Sequence, residues 1–272
     1  VGLPAILFGT NGKIAWGSTV GSLDTNDVYQ LTLNPSNSKE YLYKGVYIPF
    51  EHKQVKIKVK NQADHVLDVY KSKQGFVSTW DENNHTAYAQ KRSWEGVEIE
   101  TLLGWSNAEK ASNWDEFLAQ AKRVAASITW FYADTKNNIG VAALGRLPIR
   151  PENQHIQLPA KGDGSMEWQG FYDFSHNPKE YNPEKGYVTS WNNKAYAGLR
   201  SDSSNFSYVD RVNELIEPLE SKAKLSQQEI WEINKTAAWS DLNARYFVPY
   251  MIQAAQSPKA SPLAKKVAPL LA

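Results

Sequence analysis

The sequence predicts an α+β chain in which strands come first and helices fill the C-terminal third. Short apolar runs separated by turn residues fill the first ninety positions, and helical spacing dominates the last seventy. Between them, residues 148–187 are rich in Pro, Gly and Asn. We expect a single domain over 1–272, with 1–147 mostly strands and one helix, 148–204 an irregular loop region, and 205–272 helical.

The strands are predicted from turn signals and from alternation. A Thr-Asn-Gly turn at residues 10–12 separates two apolar segments, which predicts a hairpin. Residues 53–60 alternate polar and apolar side chains, so we expect a strand with one face in water. The predicted strands of this first part are 4–9, 13–18, 27–33, two short strands in 40–50 about Lys44-Gly45, 53–60 and 85–93.

The helices are predicted from spacing and capping residues. Residues 113–126 have helical apolar spacing, with Asn113 as the N-cap and acidic residues in the first turn. Strands at 127–134 and 139–144 follow, joined by a turn. Residues 207–221 form one helix that we expect to be interrupted near Pro218. The helix over 226–240 opens with Ser226 and Glu229, which together predict a capping box.

Composition excludes several classes of function. The 272 residues carry a net charge of +1, which argues against a nucleic-acid partner or an anionic membrane surface. There is no cysteine, so disulfides, thiolate nucleophiles and cysteine-ligated zinc are excluded. No apolar run is long enough to span a membrane. The chain begins without Met and both of its ends are apolar, from which we expect a piece of a longer protein.

Common catalytic motifs are missing from the sequence. The five histidines lack the spacing of a zincin site. No G-x-S-x-G nucleophile elbow, P-loop or dinucleotide-binding fingerprint is found. The ten Trp and fourteen Tyr residues are interpreted as core packing or, alternatively, as stacking platforms for a sugar.

Side-chain oxygens gather directly after the strand that contains "KIAWGS". Asp24, Asn26 and Asp27 lie within four positions, without the Gly and Glu of an EF-hand loop. One interpretation is a turn that satisfies its own backbone, and the other is half of a site for a hard cation. Because calcium needs about six to eight oxygens, its other ligands would come from elsewhere.

A second unusual stretch is "SWNNKAY", residues 190–196. Asn192 and Asn193 follow a strand-like segment, and such side chains either cap the backbone or donate N–H to a ligand oxygen. Further on, Asp210 and Arg211 at a helix start are interpreted from the residues alone as a solvated face.

Taken together, several stretches resemble the penicillin acylase family of N-terminal nucleophile hydrolases. They occur in the family's order, cover nearly the whole chain and match the central part of the large β chain. The matching stretches are "GLPAILFGTNGKIAWGSTVG", "LDTNDVY", "LLGWSNAEKASNWDEF", "ITWFYADTKNNIGVAALGRLPIR", "YNPEKGYVTSWNNK", "VDRVNELIE" and "SDLNARYFVPYMIQA".

The resemblance implies part of an αββα-layered amide hydrolase that matures by autoproteolysis of a periplasmic or secreted precursor. The nucleophile of such enzymes is the N-terminal serine of the β chain, whose own α-amino group acts as the base. This chain starts after the expected Ser-Asn, so the resemblance implies that the nucleophile, the small α chain and the later β-chain strands lie outside it. We therefore expect the isolated chain to be inactive on amides.

The resemblance also assigns roles to individual residues. Val20 matches the position whose main-chain N–H contributes to the oxyanion hole, Asn192 matches the side-chain donor, and Arg211 matches the arginine that orients this Asn. Positions that match the lining of the acyl pocket are Phe8, Ser18, Ser22, Trp105 and Ile128. Ser22 falls where penicillin G acylases place a phenylalanine, a departure that bears on a phenylacetyl preference.

A calcium site is implied in the same way, with one Ca²⁺ per parent enzyme. Asp24 and Asp27 match carboxylate ligands, Asn26 a main-chain carbonyl ligand, Ile156 a second carbonyl ligand and Asp202 a further carboxylate. The α-chain acid that completes the site lies outside this chain, so we expect a site that is incomplete here. Gln74 stands where relatives often carry a histidine, which is not the base in this mechanism.

Three functions remain open from the sequence. The parent protein is expected to cleave the N-acyl side chain of a β-lactam such as penicillin G, or of a related small-molecule amide. The alternatives are an acyl-homoserine lactone acylase and a calcium-dependent, aromatic-rich module that binds glycans.

Overall fold

The computed structural model describes residues 5–21, 23–194 and 211–271. The chain divides into two compact units where the sequence predicts a single domain. Unit 1 is Val1–Val188 with Lys194–Ser204, and unit 2 is Thr189–Asn193 with Asn205–Ala272. Each unit is described by itself. Ser22, Asp202 and Asp210 lie outside the described residues.

The described part of unit 1 is built mainly from antiparallel strands. Its strands are β1 (Gly9–Thr10), β2 (Ile14–Val20), β3 (Asn26–Asn34), β4 (Asn37–Tyr43), β5 (Val46–Pro49), β6 (Glu51–Ile57), β7 (His65–Lys71), β8 (Phe76–Asp81), β9 (Thr86–Arg92), β10 (Ile128–Asp134), β11 (Ile139–Leu144), β12 (Ala160–Lys161) and β13 (Lys179–Tyr181). They form a five-stranded sheet, in the order β1-β2-β10-β11-β13, and an eight-stranded sheet.

In the five-stranded sheet, β2 lies between β1 and β10. The predicted hairpin is present, because β1 pairs antiparallel with β2 across the turn at residues 10–12. The first predicted strand is shorter than expected and is confined to Gly9–Thr10 among the described residues. Strand β10 pairs with the whole of β2, from Ile14 opposite Asp134 to Val20 opposite Ile128.

Two helices, α1 (Glu98–Ala108) and α2 (Trp114–Ala121), contribute to the core of the five-stranded sheet. The sequence predicts one helix here, so α1 was missed, and α2 ends at Ala121 rather than at residue 126. Gly104 makes α1 hard to predict from the sequence, because glycine is unfavourable in the interior of a helix. It is needed for packing: a Cβ there would lie 2.8 Å from the Gln120 carbonyl oxygen.

The core between these elements is aromatic. Trp105 packs edge-on against Trp130, with ring centroids 5.5 Å apart, and Trp114 contacts Tyr132 in the same way at 5.3 Å. All four side chains are buried. These four rings therefore pack in the core and do not form an exposed stacking platform.

The eight-stranded sheet follows the order β5-β4-β3-β9-β8-β7-β6, and β12 pairs parallel with β3. Alternate residues of β3 are buried. Of these, Tyr29, Leu31 and Leu33 belong to the hydrophobic core of the eight-stranded sheet. Lys44 and Gly45 both have positive φ, 49° and 84°, in the turn between β4 and β5. The prediction of one wetted face for β6 is wrong, because all seven residues of this edge strand are exposed.

The stretch after β11 is mostly irregular, as the sequence predicts for its described part. It contains only β12, β13 and one turn of 3₁₀ helix at Phe174–His176 among the described residues up to 194. Asn177 anchors it, since its buried side chain donates to the carbonyl oxygens of Ala143 and Gly145, both at 2.9 Å.

Unit 2 is helical in its described part. Its helices are α3 (Asn213–Glu220), α4 (Gln227–Trp239), α5 (Leu242–Ala255) and α6 (Pro262–Val267). The predicted interruption at Pro218 is wrong, because α3 continues through it to Glu220. The capping box of α4 is confirmed: the Ser226 hydroxyl accepts from the Glu229 amide, and the Glu229 carboxylate accepts from the Ser226 amide. None of the helices within the described residues has the length and apolarity that a membrane crossing requires.

Candidate functional site

The C-terminal end of β2 presents a main-chain donor at Val20. The Gly21 amide donates to the Ser127 carbonyl oxygen at 3.2 Å, so Gly21 and Ser127 form a hydrogen-bonded pair in the ladder. The neighbouring pair, Val20 opposite Ile128, is then a non-hydrogen-bonded pair. The N–H of Val20 consequently points away from β10, toward the opposite edge of β2.

The chain leaves β2 along a tightly packed path. A Cβ at Gly21 would lie 2.5 Å from the Ile128 amide nitrogen, so only glycine fits between β2 and β10 at this point. The Ser127 hydroxyl accepts from the Leu23 amide at 2.9 Å. These contacts fix the direction in which the chain passes from Val20 to Asp24.

Asn192 and Arg211 are brought together within unit 2. The Arg211 Nη2 donates to Asn192 Oδ1 at 2.7 Å, and its Nε donates to the Trp191 carbonyl oxygen at 3.2 Å. The guanidinium also lies over the Trp191 ring, 5.2 Å from its centroid. Asn192 has φ of 59°, a left-handed conformation that Asn tolerates better than most residues.

Three of the predicted acyl-pocket residues share one face of the β2–β10 pair. Ser18 lies opposite Trp130, and Ile128 lies two residues along on the same face. Ile128 packs against the core cluster that contains Trp105, and only 9% of Trp105 is exposed. The buried indole N–H of Trp105 has no hydrogen-bond partner among the described residues.

Phe8 is not brought to that face. A Cβ at Gly17 would lie 3.3 Å from the ring of Phe8, and positions 17 and 18 point to opposite faces of β2. Phe8 is exposed. Ser22 lies outside the described residues.

The acidic stretch after β2 is occupied by a buried arginine that the sequence analysis missed. Arg150 donates through Nη2 to Asp24 Oδ1 and through Nε to Asp27 Oδ2, both at 2.7 Å. Nη2 also lies 3.2 Å from the Asp24 carbonyl oxygen and 3.4 Å from that of Asn26. All three charged side chains are about 95% buried, with 4–5% of each exposed.

The chemistry of this donor set fits a hard cation. Two buried carboxylates and a main-chain carbonyl converge, and a single guanidinium balances only one of the two negative charges. Within the described ranges, no group of three or more His, Asp or Glu side chains gathers around a common point. Ile156 lies in a turn with no contact to this cluster among the hydrogen bonds found, and Asp202 lies outside the described residues. Further ligands would have to join Asp24, Asn26 and Asp27.

A layer of side chains from the irregular stretch supports Asp27. The Trp168 indole N–H donates to the same oxygen, Asp27 Oδ2, at 2.5 Å. Lys91 lies over the Trp168 ring, 4.9 Å from its centroid, and forms an ion pair with Glu167 at 2.8 Å. The buried side chain of Gln74 donates to the other Glu167 oxygen at 2.7 Å. Gln74 therefore anchors residues 162–168 on the sheet.

Burial also changes the ionisation of Tyr29, which lies two residues along β3 from Asp27. Burial first, and then the negative charges of Asp27 and Glu167, raise the pKa of Tyr29. Its hydroxyl donates to the Met166 carbonyl oxygen at 2.9 Å. Tyr29 is thus a neutral hydrogen-bond donor that ties the irregular stretch to β3.

Comparison with known proteins defines the class first. A solved structure of thermostable penicillin G acylase from Alcaligenes faecalis superimposes with a TM-score of 0.87 at 43% sequence identity, covering 98% of this chain and 49% of that chain. The chain therefore has the strand-rich α+β fold of an N-terminal nucleophile hydrolase, with helices in its C-terminal part, as predicted.

The family follows from the sequence comparisons. Residues 1–272 match the penicillin amidase family, and 257 residues are 36% identical to penicillin G acylase of Escherichia coli, covering 93% of this chain and 30% of that protein. Acyl-homoserine lactone acylase QuiP of Pseudomonas syringae pv. tomato is 26% identical over 79% of this chain and 27% of its own length. The chain belongs to the penicillin amidase family and spans less than a third of these two relatives.

Proposed function

We propose that this chain is the oxyanion-stabilising and acyl-binding part of an amide hydrolase of the acylase kind. The observation that carries the proposal is the hydrogen bond from Arg211 to Asn192 Oδ1. Because an arginine can only donate, this bond commits the oxygen end of the Asn192 amide to accepting. The Nδ2 end is then the end that can donate to a substrate oxygen.

The proposed reaction is acyl transfer to a serine that lies outside these 272 residues. The serine oxygen forms a bond to the amide carbonyl carbon while its proton passes to the α-amino group of the same residue. The carbonyl oxygen becomes an oxyanion, which hydrogen-bond donors stabilise. The family resemblance implies the Val20 N–H and the Asn192 side chain in this role. The C–N bond then breaks, the amine leaves with a proton, and water hydrolyses the acyl-enzyme.

The acyl group is proposed to bind beside Ser18, Ile128 and Trp105. Relatives named penicillin G acylase and acyl-homoserine lactone acylase both match this chain. Penicillin G or a related N-acyl amide is the first candidate substrate, supported by the higher identity to the penicillin G acylases. An acyl-homoserine lactone is the second, supported by the match to QuiP.

We also propose the remaining features that the family resemblance implies. Calcium would be held by Asp24, Asp27 and the Asn26 carbonyl, with Ile156 and Asp202 as further ligands, and would fasten the segment that follows β2. The partners would be an α chain and the rest of the β chain, made from a precursor that is exported to the periplasm or secreted. The isolated chain would then be inactive on amides.

The oxyanion assignment is tested with the Asn192→Ala variant of the full-length enzyme. Loss of one preorganised donor is expected to lower kcat on a phenylacetyl amide or an acyl-homoserine lactone by about 10²–10³-fold. Asn107→Ala, on α1, is the matched control, because among the described residues Asn107 Oδ1 accepts only from the Lys110 side chain. Unchanged hydrolysis by Asn192→Ala would show that Asn192 is not an oxyanion donor.

A further inference from the structure

We propose that Arg150 is a positioning residue that holds Asp24 and Asp27 as a preformed pair of metal ligands and thereby sets the calcium affinity. This inference rests on the calcium site of the proposed function. It assigns a role to a residue that neither the sequence pattern nor the ligand set identifies, since Arg150 is itself no ligand.

Arg150 contacts three of the expected ligand residues, which are Asp24, Asn26 and Asp27. Its planar guanidinium spans the two carboxylates with one nitrogen each, at 2.7 Å. The nitrogen that contacts Asp24 also reaches the Asn26 carbonyl oxygen at 3.4 Å. One rigid side chain therefore fixes the mutual orientation of all three groups.

Charge explains why such a residue is required. Asp24 and Asp27 are both buried, and two ionised carboxylates repel each other strongly in a buried site unless a cation balances them. Arg150 supplies one permanent positive charge, so the cluster keeps a net charge of −1. A divalent cation then meets an assembled, still negative site, rather than two carboxylates that repel each other.

The position of the donors on Asp27 leaves one side of its carboxylate for a metal. Arg150 and Trp168 both donate to Oδ2, at 2.7 Å and 2.5 Å. No donor from the described residues contacts Oδ1. The two donors thus hold the Asp27 carboxylate through Oδ2 and leave Oδ1 as the oxygen that would bind a metal.

The size of the effect follows from the behaviour of residues that orient metal ligands. Removing such a partner commonly costs about 10–100-fold in metal affinity. Lysine at position 150 keeps the positive charge but offers a single ammonium group, which cannot span two carboxylates as a planar fork does. Arg150→Lys therefore separates geometry from charge.

The test measures calcium affinity by isothermal titration calorimetry, with the full-length enzyme first stripped by EDTA. Arg150→Lys is expected to weaken Ca²⁺ binding by about 10-fold or more. Arg123→Lys is the matched control, since Arg123 also binds one carboxylate oxygen, Glu100 Oε2, through two nitrogens at 3.1 and 2.9 Å. That variant is expected to bind calcium like the wild type.

A second variant guards against a fold defect in Arg150→Lys. Trp168→Phe removes the other donor to Asp27 Oδ2 and leaves Arg150 in place, so its calcium affinity is expected to fall less than that of Arg150→Lys. Near-ultraviolet circular dichroism in EDTA reports whether each variant is folded. If Arg150→Lys does not fold, the calcium affinity of Trp168→Phe decides. An affinity within about threefold of the wild type supports the role of Arg150, because Arg150 alone then suffices to hold the two carboxylates. A loss of about 10-fold or more overturns that role.

Two results would overturn the inference in different ways. Equal calcium affinity in the wild type and in folded Arg150→Lys would remove the role of Arg150 and leave the calcium site standing. A full-length wild-type enzyme that binds no Ca²⁺ would remove the calcium site, and the inference about Arg150 with it.

Discussion

Asp134, the last residue of β10, shows how one side chain can organise a turn. Its carboxylate accepts from the amides of Lys136 and Asn138, from the Asn138 side chain and from the Tyr132 hydroxyl, at 2.8–3.0 Å. The hydrogen bond from the Asn138 side chain is the main cause that lowers the pKa of Asp134 to about 2, against the opposing effect of desolvation. The charged form is therefore the one that the fold stabilises.

The pH dependence of stability follows from this pKa. In the unfolded chain an aspartate titrates near pH 3.9, so the contribution of Asp134 is fully present above about pH 4 and is lost as the pH falls toward 2. The difference in the free energy of unfolding between wild type and Asp134→Ala is expected to be constant from about pH 7 to 5 and to shrink below about pH 4.

Urea titrations at several pH values measure this difference. Exposed Glu184 provides the control, because its carboxylate accepts no hydrogen bond from the described residues, so Glu184→Gln removes a carboxylate without disrupting such a network. If the difference for Asp134→Ala were the same at pH 3 as at pH 7, the carboxylate would not contribute through its charged form.

At the scale of elements, the ends of the helices are set by local side chains. The Asn113 side chain accepts from the Glu116 amide at 3.0 Å, and Glu116 in turn accepts from the Ser112 amide at 2.8 Å. This reciprocal arrangement lies at the start of α2, which packs its buried face into the aromatic core. The sequence predicts the cap at Asn113, because the cap and the first turn of the helix are close along the chain.

Loss of this cap has a defined cost. Asn113→Ala is expected to lower the free energy of unfolding by about 1 kcal/mol, because the Glu116 amide loses its acceptor. Asn113→Asp keeps a carboxylate acceptor at the same position and is expected to retain most of the stability. Chemical denaturation of the two variants side by side makes the comparison, and equal stabilities would argue against a capping role.

At the scale of the whole molecule, the two units differ in the core that they contain. Buried rings such as Tyr29, Phe117 and Tyr132 lie in unit 1. In the described part of unit 2 the buried apolar residues are only Val212, Ala237, Ala255 and Ala268. Its large apolar side chains are mostly at the surface, with Trp231 64% and Trp239 85% exposed.

This difference predicts that the units of the 272-residue chain unfold separately. Little buried apolar area stabilises α3 to α6, so helical signal is expected to be lost at a lower urea concentration than the burial of the aromatic core. Far-ultraviolet circular dichroism reports the first transition and near-ultraviolet circular dichroism the second. Coincident transitions in the two signals would mean that the units unfold as one.

Features that depend on neighbours along the chain can be predicted from the sequence. The strand hairpins, the caps at Asn113 and Ser226 and the order of strands before helices follow from patterns of a few residues. Its family resemblance also identified Asn192 and Arg211 as partners, and the structure joins them by a hydrogen bond. Helix α1 was not predicted because it contains Gly104, which has a low helix propensity. Close packing against α2 explains why glycine is present at this position.

The arrangement of charges that are distant along the chain depends on the fold. Arg150 meets Asp24 and Asp27 across more than 120 residues of chain, and nothing in the "LPIR" stretch that contains it predicts that contact. Trp168 joins the same carboxylate from an irregular stretch that has no periodicity to interpret. A buried charge needs an opposite charge close to it in space, because its desolvation is otherwise not compensated. The fold determines which residue supplies that charge.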